Sequence, residues 1–143
     1  MSADALSLAT ENAVVHGVAD VIEFGKADLT DDFATRPADL LLANLPYIPT
    51  GTIPTLPVAA SFEPAMALDG GADGLDLVRR LIDELPTALV DDGTALLEIG
   101  AGQQSDVSEY AVRVMPGATV TIHDDLSGLP RVVEIAKTSG EGS

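Results

Sequence analysis

An α/β fold, with helices packed on a largely parallel sheet, is predicted by three features of this sequence. Short apolar runs alternate with segments of helical periodicity, the order expected of such a sheet. The hydrophobic residues make up 46% of the chain with only 3% aromatic, so the core is built from Ala, Leu, Val and Ile. Turn-forming residues are concentrated in one stretch: five of the nine prolines fall between Pro46 and Gly74. At 143 residues the chain fits one domain, expected over 1–138, with a polar tail at 139–143.

The elements follow in order. Residues 4–16 place Ala5, Leu6, Leu8, Ala9, Ala13 and Val14 on one side of a helix, and Gly17 stands where a helix stops. Asp20-Val21-Ile22-Glu23-Phe24 alternates with period two and predicts a short strand. The run from Ala38 to Ala43 is nearly all apolar, as in a strand covered on both faces and set in the middle of a sheet. A long loop from Pro46 to Gly74 follows, of the kind that carries function. Leu75, Val78, Leu81, Ile82 and Leu85 give a second helix, interrupted at Pro86 and ending near Asp91-Asp92-Gly93. A buried strand at 94–99 comes next, then a helix at 104–114 and strands at 118–123 and 131–137.

Composition removes several function classes. There is no cysteine and there are two histidines, His16 and His123, so disulfides, thiolate chemistry and a histidine metal site are not expected. The net charge of −16, from 23 acids against 7 bases, opposes a phosphate backbone and argues against a nucleic-acid partner. It is equally the signature of a highly soluble surface. No apolar run approaches the roughly 20 residues needed to cross a bilayer, and Met1-Ser2-Ala3-Asp4 lacks a signal peptide's basic and apolar regions. The cytoplasm is the expected compartment, with no membrane partner.

Chemistry is expected at Asn44-Leu45-Pro46-Tyr47, because ligands of open α/β sheets sit at the carboxyl ends of strands. These residues suit transfer to a primary amide or an exocyclic amine, whose nitrogen lone pair is delocalised and must be aimed. The Asn44 side-chain carbonyl and the Leu45 main-chain carbonyl can accept two N–H bonds and stabilise positive charge developing on the nitrogen. Pro46 holds Leu45 extended, and Tyr47 offers a ring face to a flat group. The same four residues also read as a strand end, a tight turn and a core tyrosine.

Over residues 1–137 the chain resembles the release-factor glutamine methyltransferases (HemK/PrmC), of the class I S-adenosylmethionine-dependent methyltransferase fold. The similarity runs through Glu11-Asn12-Ala13, Ala27-Asp28-Leu29 and the segment Asn44 to Pro49. It continues through Glu63-Pro64, Ala67 to Gly71 and Asp73 to Asp76, the stretch most specific to that family. Leu97-Glu98-Ile99-Gly100, Gly102-Gln103, Asp125 to Gly128 and Arg131-Val132-Val133 complete it. Leu45 replaces the first proline of the family tetrapeptide, and Ala65 stands where many relatives carry arginine.

The resemblance implies methyl transfer from S-adenosylmethionine to a protein glutamine, in the Gly-Gly-Gln loop of a peptide chain release factor or in a ribosomal protein. It assigns Asn44, Leu45, Pro46 and Tyr47 to catalysis, Asp28 and Asn44 to the cofactor, and Asn44, Tyr47 and Glu63 to the substrate. Asp28 reads equally well as a loop aspartate capping a turn, and Glu63 as a solvated acid. The family sheet order is 3-2-1-4-5-7-6, and the match begins just past the acid that binds the cofactor ribose. The expected fold is therefore a partial class I sheet lacking its first two strands, N-terminally truncated, with residues 38–43 as an edge open to self-association. Such a piece would be an enzyme, a non-catalytic fragment, or a module completed by another chain. One alternative places the cofactor loop at Gly100-Ala101-Gly102 with Asp124 as ribose acid, the permuted arrangement of some nucleic-acid amino-methyltransferases.

Overall fold

The computed structural model describes residues 3–31, 35–57 and 64–139. Contacts divide the chain into two units, Met1–Asp32 and Phe33–Ser143. In the first, helix α1 spans Ala3–Val15. Its end is closed by the Val18 N–H donating to Ala13 O at 2.9 Å and the Gly17 N–H to Val14 O at 3.1 Å, with Gly17 at φ 69°. This left-handed residue is the stop that the sequence predicts.

The predicted strand at 20–24 does not form. Ala19–Val21 is one turn of 3₁₀ helix, and residues 22–27 have no regular structure. Alternation fixes which side each residue faces, but a strand also needs a neighbour to take its N–H and C=O groups. Among the described residues none pairs with this segment.

The second unit holds one four-stranded sheet formed by β1 (Ala38–Ala43), β2 (Leu89–Glu98), β3 (Thr119–Asp124) and β4 (Pro130–Ala136). Its order is β1-β2-β4-β3, which matches the 4-5-7-6 part of the class I sheet. β1 runs parallel to β2, and β4 is antiparallel to both β2 and β3, so the described sheet is mixed and not the largely parallel one that the aliphatic composition predicts. Among the described residues β1 is thus an edge strand, as expected for a sheet lacking its first two strands, and not the central strand that its apolar run alone predicts. Leu40 is 55% exposed and Leu42 70%, while Leu41 is buried. An apolar run shows that both faces tolerate burial, but not what covers them.

Helices α2 (Asp76–Ala88) and α3 (Gln104–Val114) pack on the other face. Val78, Leu81, Ile82 and Leu85 recur at helical spacing and, like Ala95, Leu97, Val133 and Ile135 of the sheet, are nearly inaccessible to water. Val107, Ala111 and Met115 of α3 and its C-terminal cap complete this aliphatic core.

Pro86 does not end α2, which runs on to Ala88. It lies in the last turn, where one lost N–H bond is tolerable, and the Lys137 ammonium donates to the carbonyls of Pro86 (3.1 Å) and Leu89 (3.0 Å). β2 then starts directly at Leu89. The Asp91-Asp92-Gly93 turn becomes an irregularity inside the strand, with Asp92 at φ 63° and a register shift opposite Ala38/Leu40.

Candidate functional site

The parallel register places Ala43 beside Leu97, so the next residues, Asn44 and Glu98, emerge together at the carboxyl ends of β1 and β2. A cleft of about 410 Å³ opens there, lined by the Asn44 to Ile48 segment, Ala67, Leu68 and Glu98. Asn44 is exposed at this cleft. No backbone N–H among the described residues donates to the Leu45 carbonyl. Two acceptors next to each other in the chain are therefore available to a ligand.

The segment after them is held from three directions. Toward the glycine-rich loop, the Ile48 N–H donates to Leu68 O (3.0 Å), the Gly70 N–H to Ile48 O (2.9 Å) and the Thr50 N–H to Gly71 O (2.9 Å). Thr50 Oγ1 also donates to Asp69 Oδ1 at 2.7 Å. Toward β2, the Tyr47 hydroxyl donates to Glu98 Oε1 at 3.1 Å, and its ring edge lies over Gly100. Toward α3, Gln103 Nε2 donates to the Tyr47 carbonyl at 3.0 Å, while Gln103 Oε1 accepts the Gly100 N–H at 2.8 Å.

Burial pushes the Tyr47 hydroxyl above its usual pKa, and the hydrogen bond to Glu98 and its negative charge push the same way against Arg131. Arg131 is itself fixed by Ile99 O (3.2 Å) and Asp125 Oδ2 (3.3 Å). A group whose pKa is raised on folding contributes stability that is complete below its unfolded value, about 10 for tyrosine, and is lost as pH rises through the folded value. In a Tyr110→Phe background, absorbance titration of the one remaining tyrosine is expected to give a midpoint above that of free tyrosine. Glu98→Gln is expected to lower it.

Glu98 and Gln103 were not picked out from the sequence as site residues, although both belong to the Glu-Ile-Gly-x-Gly-Gln stretch that carries the resemblance. Asp28 lies in the first unit, in the bend where the Asp31 N–H donates to its main-chain carbonyl at 3.3 Å. Glu63 lies outside the described residues.

The permuted arrangement meets two obstacles. The Gly100 N–H that would face a cofactor is already taken by Gln103. β4 also lies between β2 and β3, so Asp124 at the end of β3 is not on the strand next to the glycine turn, where a ribose acid belongs. Among the described residues no group of His, Cys, Asp or Glu could hold a metal ion, and no helix is long and apolar enough to cross a membrane.

The chain matches no protein-family profile. It is 38% identical over 100 residues to a ribosomal protein uL3 glutamine methyltransferase of Bordetella pertussis, covering 70% of this chain and 34% of that protein. It is 36% identical over 133 residues to a release factor glutamine methyltransferase of Bacillus cereus, covering 91% and 46%. Among solved structures, the E. cuniculi Mtq2–Trm112 complex, responsible for methylation of the eRF1 translation termination factor, aligns with TM-score 0.55 at 17% identity, covering 89% of this chain and 68% of that one. That likeness supports the methyltransferase fold. The chain spans from about a third to about half the length of these two curated relatives. By sequence and by sheet order, it belongs to the family of release factor and ribosomal protein uL3 glutamine methyltransferases.

Proposed function

We propose that this chain carries the amide-accepting part of an S-adenosylmethionine-dependent glutamine N5-methyltransferase, whose substrate is the Gly-Gly-Gln loop of a peptide chain release factor. The observation that carries this reading is the cleft itself, where Asn44 and the uncommitted Leu45 carbonyl adjoin a tyrosine fixed at both its hydroxyl and its carbonyl. A glutamine amide has two N–H bonds. Accepted by Asn44 Oδ1 and Leu45 O, they fix the nitrogen and favour the positive charge it gains during transfer. Pro46 keeps Leu45 extended without the family's extra proline. The Tyr47 ring flanks the flat amide, in a place set by Glu98 and Gly100.

S-adenosylmethionine would supply the electrophilic methyl group. The described residues fit that group only in part. Asn44 can adjoin its methyl end, and Asp28 is assigned to it by resemblance, but in the Gly100–Gly102 turn the Gly100 N–H is already taken by Gln103. We infer that the remainder of the cofactor site lies outside the described residues. The uL3 relatives align as well as the release-factor ones, so a uL3 glutamine is the second substrate reading of the same chemistry. The cytoplasm is where either substrate would be met.

Amide selection provides the test. A glutamate in place of the substrate glutamine removes both N–H donors and brings a second carboxylate to the Glu98 side of the cleft. Titration of the ¹⁵N-labelled chain with a Gly-Gly-Gln peptide is expected to shift the amide signals of residues 44–48, excepting Pro46, and of Glu98, whereas the Gly-Gly-Glu peptide leaves them unmoved. Equal responses to the two peptides would remove the basis for an amide site.

A further inference from the structure

Three loops meet at one side-chain amide. Gln103 is the residue before α3, and its two polar atoms are divided between elements far apart in sequence: Nε2 donates to Tyr47 O at 3.0 Å and Oε1 accepts the Gly100 N–H at 2.8 Å. Glycines surround this junction. A Cβ at Gly74 would stand 2.8 Å from Gln103 Nε2 and run into the Tyr47 carbonyl, and one at Gly100 would stand 3.1 Å from Gln103 Oε1 and 3.2 Å from the Tyr47 ring. The amide is thus enclosed by backbone on both sides, with little room for the Tyr47 carbonyl to move.

We propose that Gln103 is a positioning residue of the acceptor loop: by bridging the Tyr47 carbonyl to the Gly100 N–H it sets where the Asn44 and Leu45 acceptors stand. This rests on reading the cleft as an amide site. Gln103 does not line the cleft, so its action is indirect. The Tyr47 carbonyl is two peptide units beyond that of Leu45, with the rigid Pro46 between them, and a displacement at one is passed to the other. The bridge has a direction, because the amide donates to one partner and accepts from the other, which neither a carboxylate nor an alkyl side chain can do. Glutamate keeps the acceptor for Gly100 but turns an oxygen toward the Tyr47 carbonyl. Leucine loses both bonds.

The experiment compares Gln103→Glu, Gln103→Leu and the parent chain, all carrying Tyr110→Phe so that Tyr47 is the sole tyrosine in a protein without tryptophan. Hydrogen exchange at Gly100 is expected to accelerate about tenfold in Gln103→Leu and to stay near the parent rate in Gln103→Glu. The near-ultraviolet circular dichroism of Tyr47 is expected to change in both. In a methyl-transfer assay on release factor with each chain joined to the preceding segment of a family member, kcat is expected to fall about 100-fold in both, with KM within a few-fold of the parent. Ile99, whose N–H donates to Arg131 O, reports whether the fold is intact. If Ile99 exchange rises with that of Gly100 in the leucine variant, the glutamate variant alone carries the comparison. An unchanged Tyr47 signal with unchanged kcat in Gln103→Glu overturns the proposal. If the Gly100 and Tyr47 changes occur and the parent chain responds equally to the Gly-Gly-Gln and Gly-Gly-Glu peptides, the bridge stands and the amide-site reading fails.

Discussion

With this chain joined to the preceding segment of a family member, Asn44→Ala is expected to reduce methyl transfer to glutamine by about 10²–10³-fold, the cost of removing one preorganised polar partner from a reacting group. Stability should stay within about 0.5 kcal/mol of the parent, because Asn44 is exposed and among the described residues its side chain bonds to nothing that would be left without a partner. The two readouts separate chemistry from folding: turnover under saturating substrate and the urea midpoint. Turnover equal to the parent's would take Asn44 out of the site, leaving the Leu45 carbonyl without its neighbour.

Gly74→Ala is expected to cause a large loss of stability. Gly74 has φ 83°, which costs an L-residue about 1–2 kcal/mol, and the added methyl would run into the Tyr47 carbonyl, with Gln103 Nε2 at 2.8 Å. Overpacking of this kind adds about 1–3 kcal/mol, for a total near ~3 kcal/mol. Gly102→Ala is the matched control. It has φ 93° but nothing within 4 Å of its Cβ position, so only the backbone cost applies. A urea midpoint that falls equally in the two variants would mean that the junction yields freely, and that the crowding around Tyr47 does not restrain the acceptor loop.

Much of the fold was legible because it depends on local pattern. The α3 boundaries, Gln104 and Val114, coincide with those read from the sequence, and the buried stripe of α2 is the one its periodicity predicts. The place of Asn44 to Tyr47 at a strand's carboxyl end was legible for the same reason. Errors arose where the outcome depended on a distant partner. Residues 20–24 alternate correctly but have no strand beside them among the described residues. Pro86 lies in a turn whose carbonyls are met by Lys137, 51 residues further on. The apolar run of β1 shows the character of its side chains and not their cover: taken alone it predicts burial on both faces, whereas Leu40 and Leu42 are exposed.

The site divides in the same way. Its acceptors lie within two adjacent residues and could be read from chemistry, whereas the groups that hold it, Glu98 and Gln103, are 51 and 56 residues from Tyr47. A glycine turn with a nearby acid looks like a cofactor loop until the strand order is known. Once β4 is seen between β2 and β3, the same glycines read as space for Tyr47 and the Gln103 bridge.

The central claim is that the cleft beside Asn44 presents a protein glutamine for N5-methylation. It is tested most directly by incubating release factor with S-adenosylmethionine and this chain, alone and joined to the preceding segment of a family member, then locating the added mass by tandem mass spectrometry. One methyl group is expected on the side chain of the Gly-Gly-Gln glutamine with the joined protein, absent when Asn44 is alanine. Methylation at any other residue type, or at that glutamine regardless of Asn44, would contradict it.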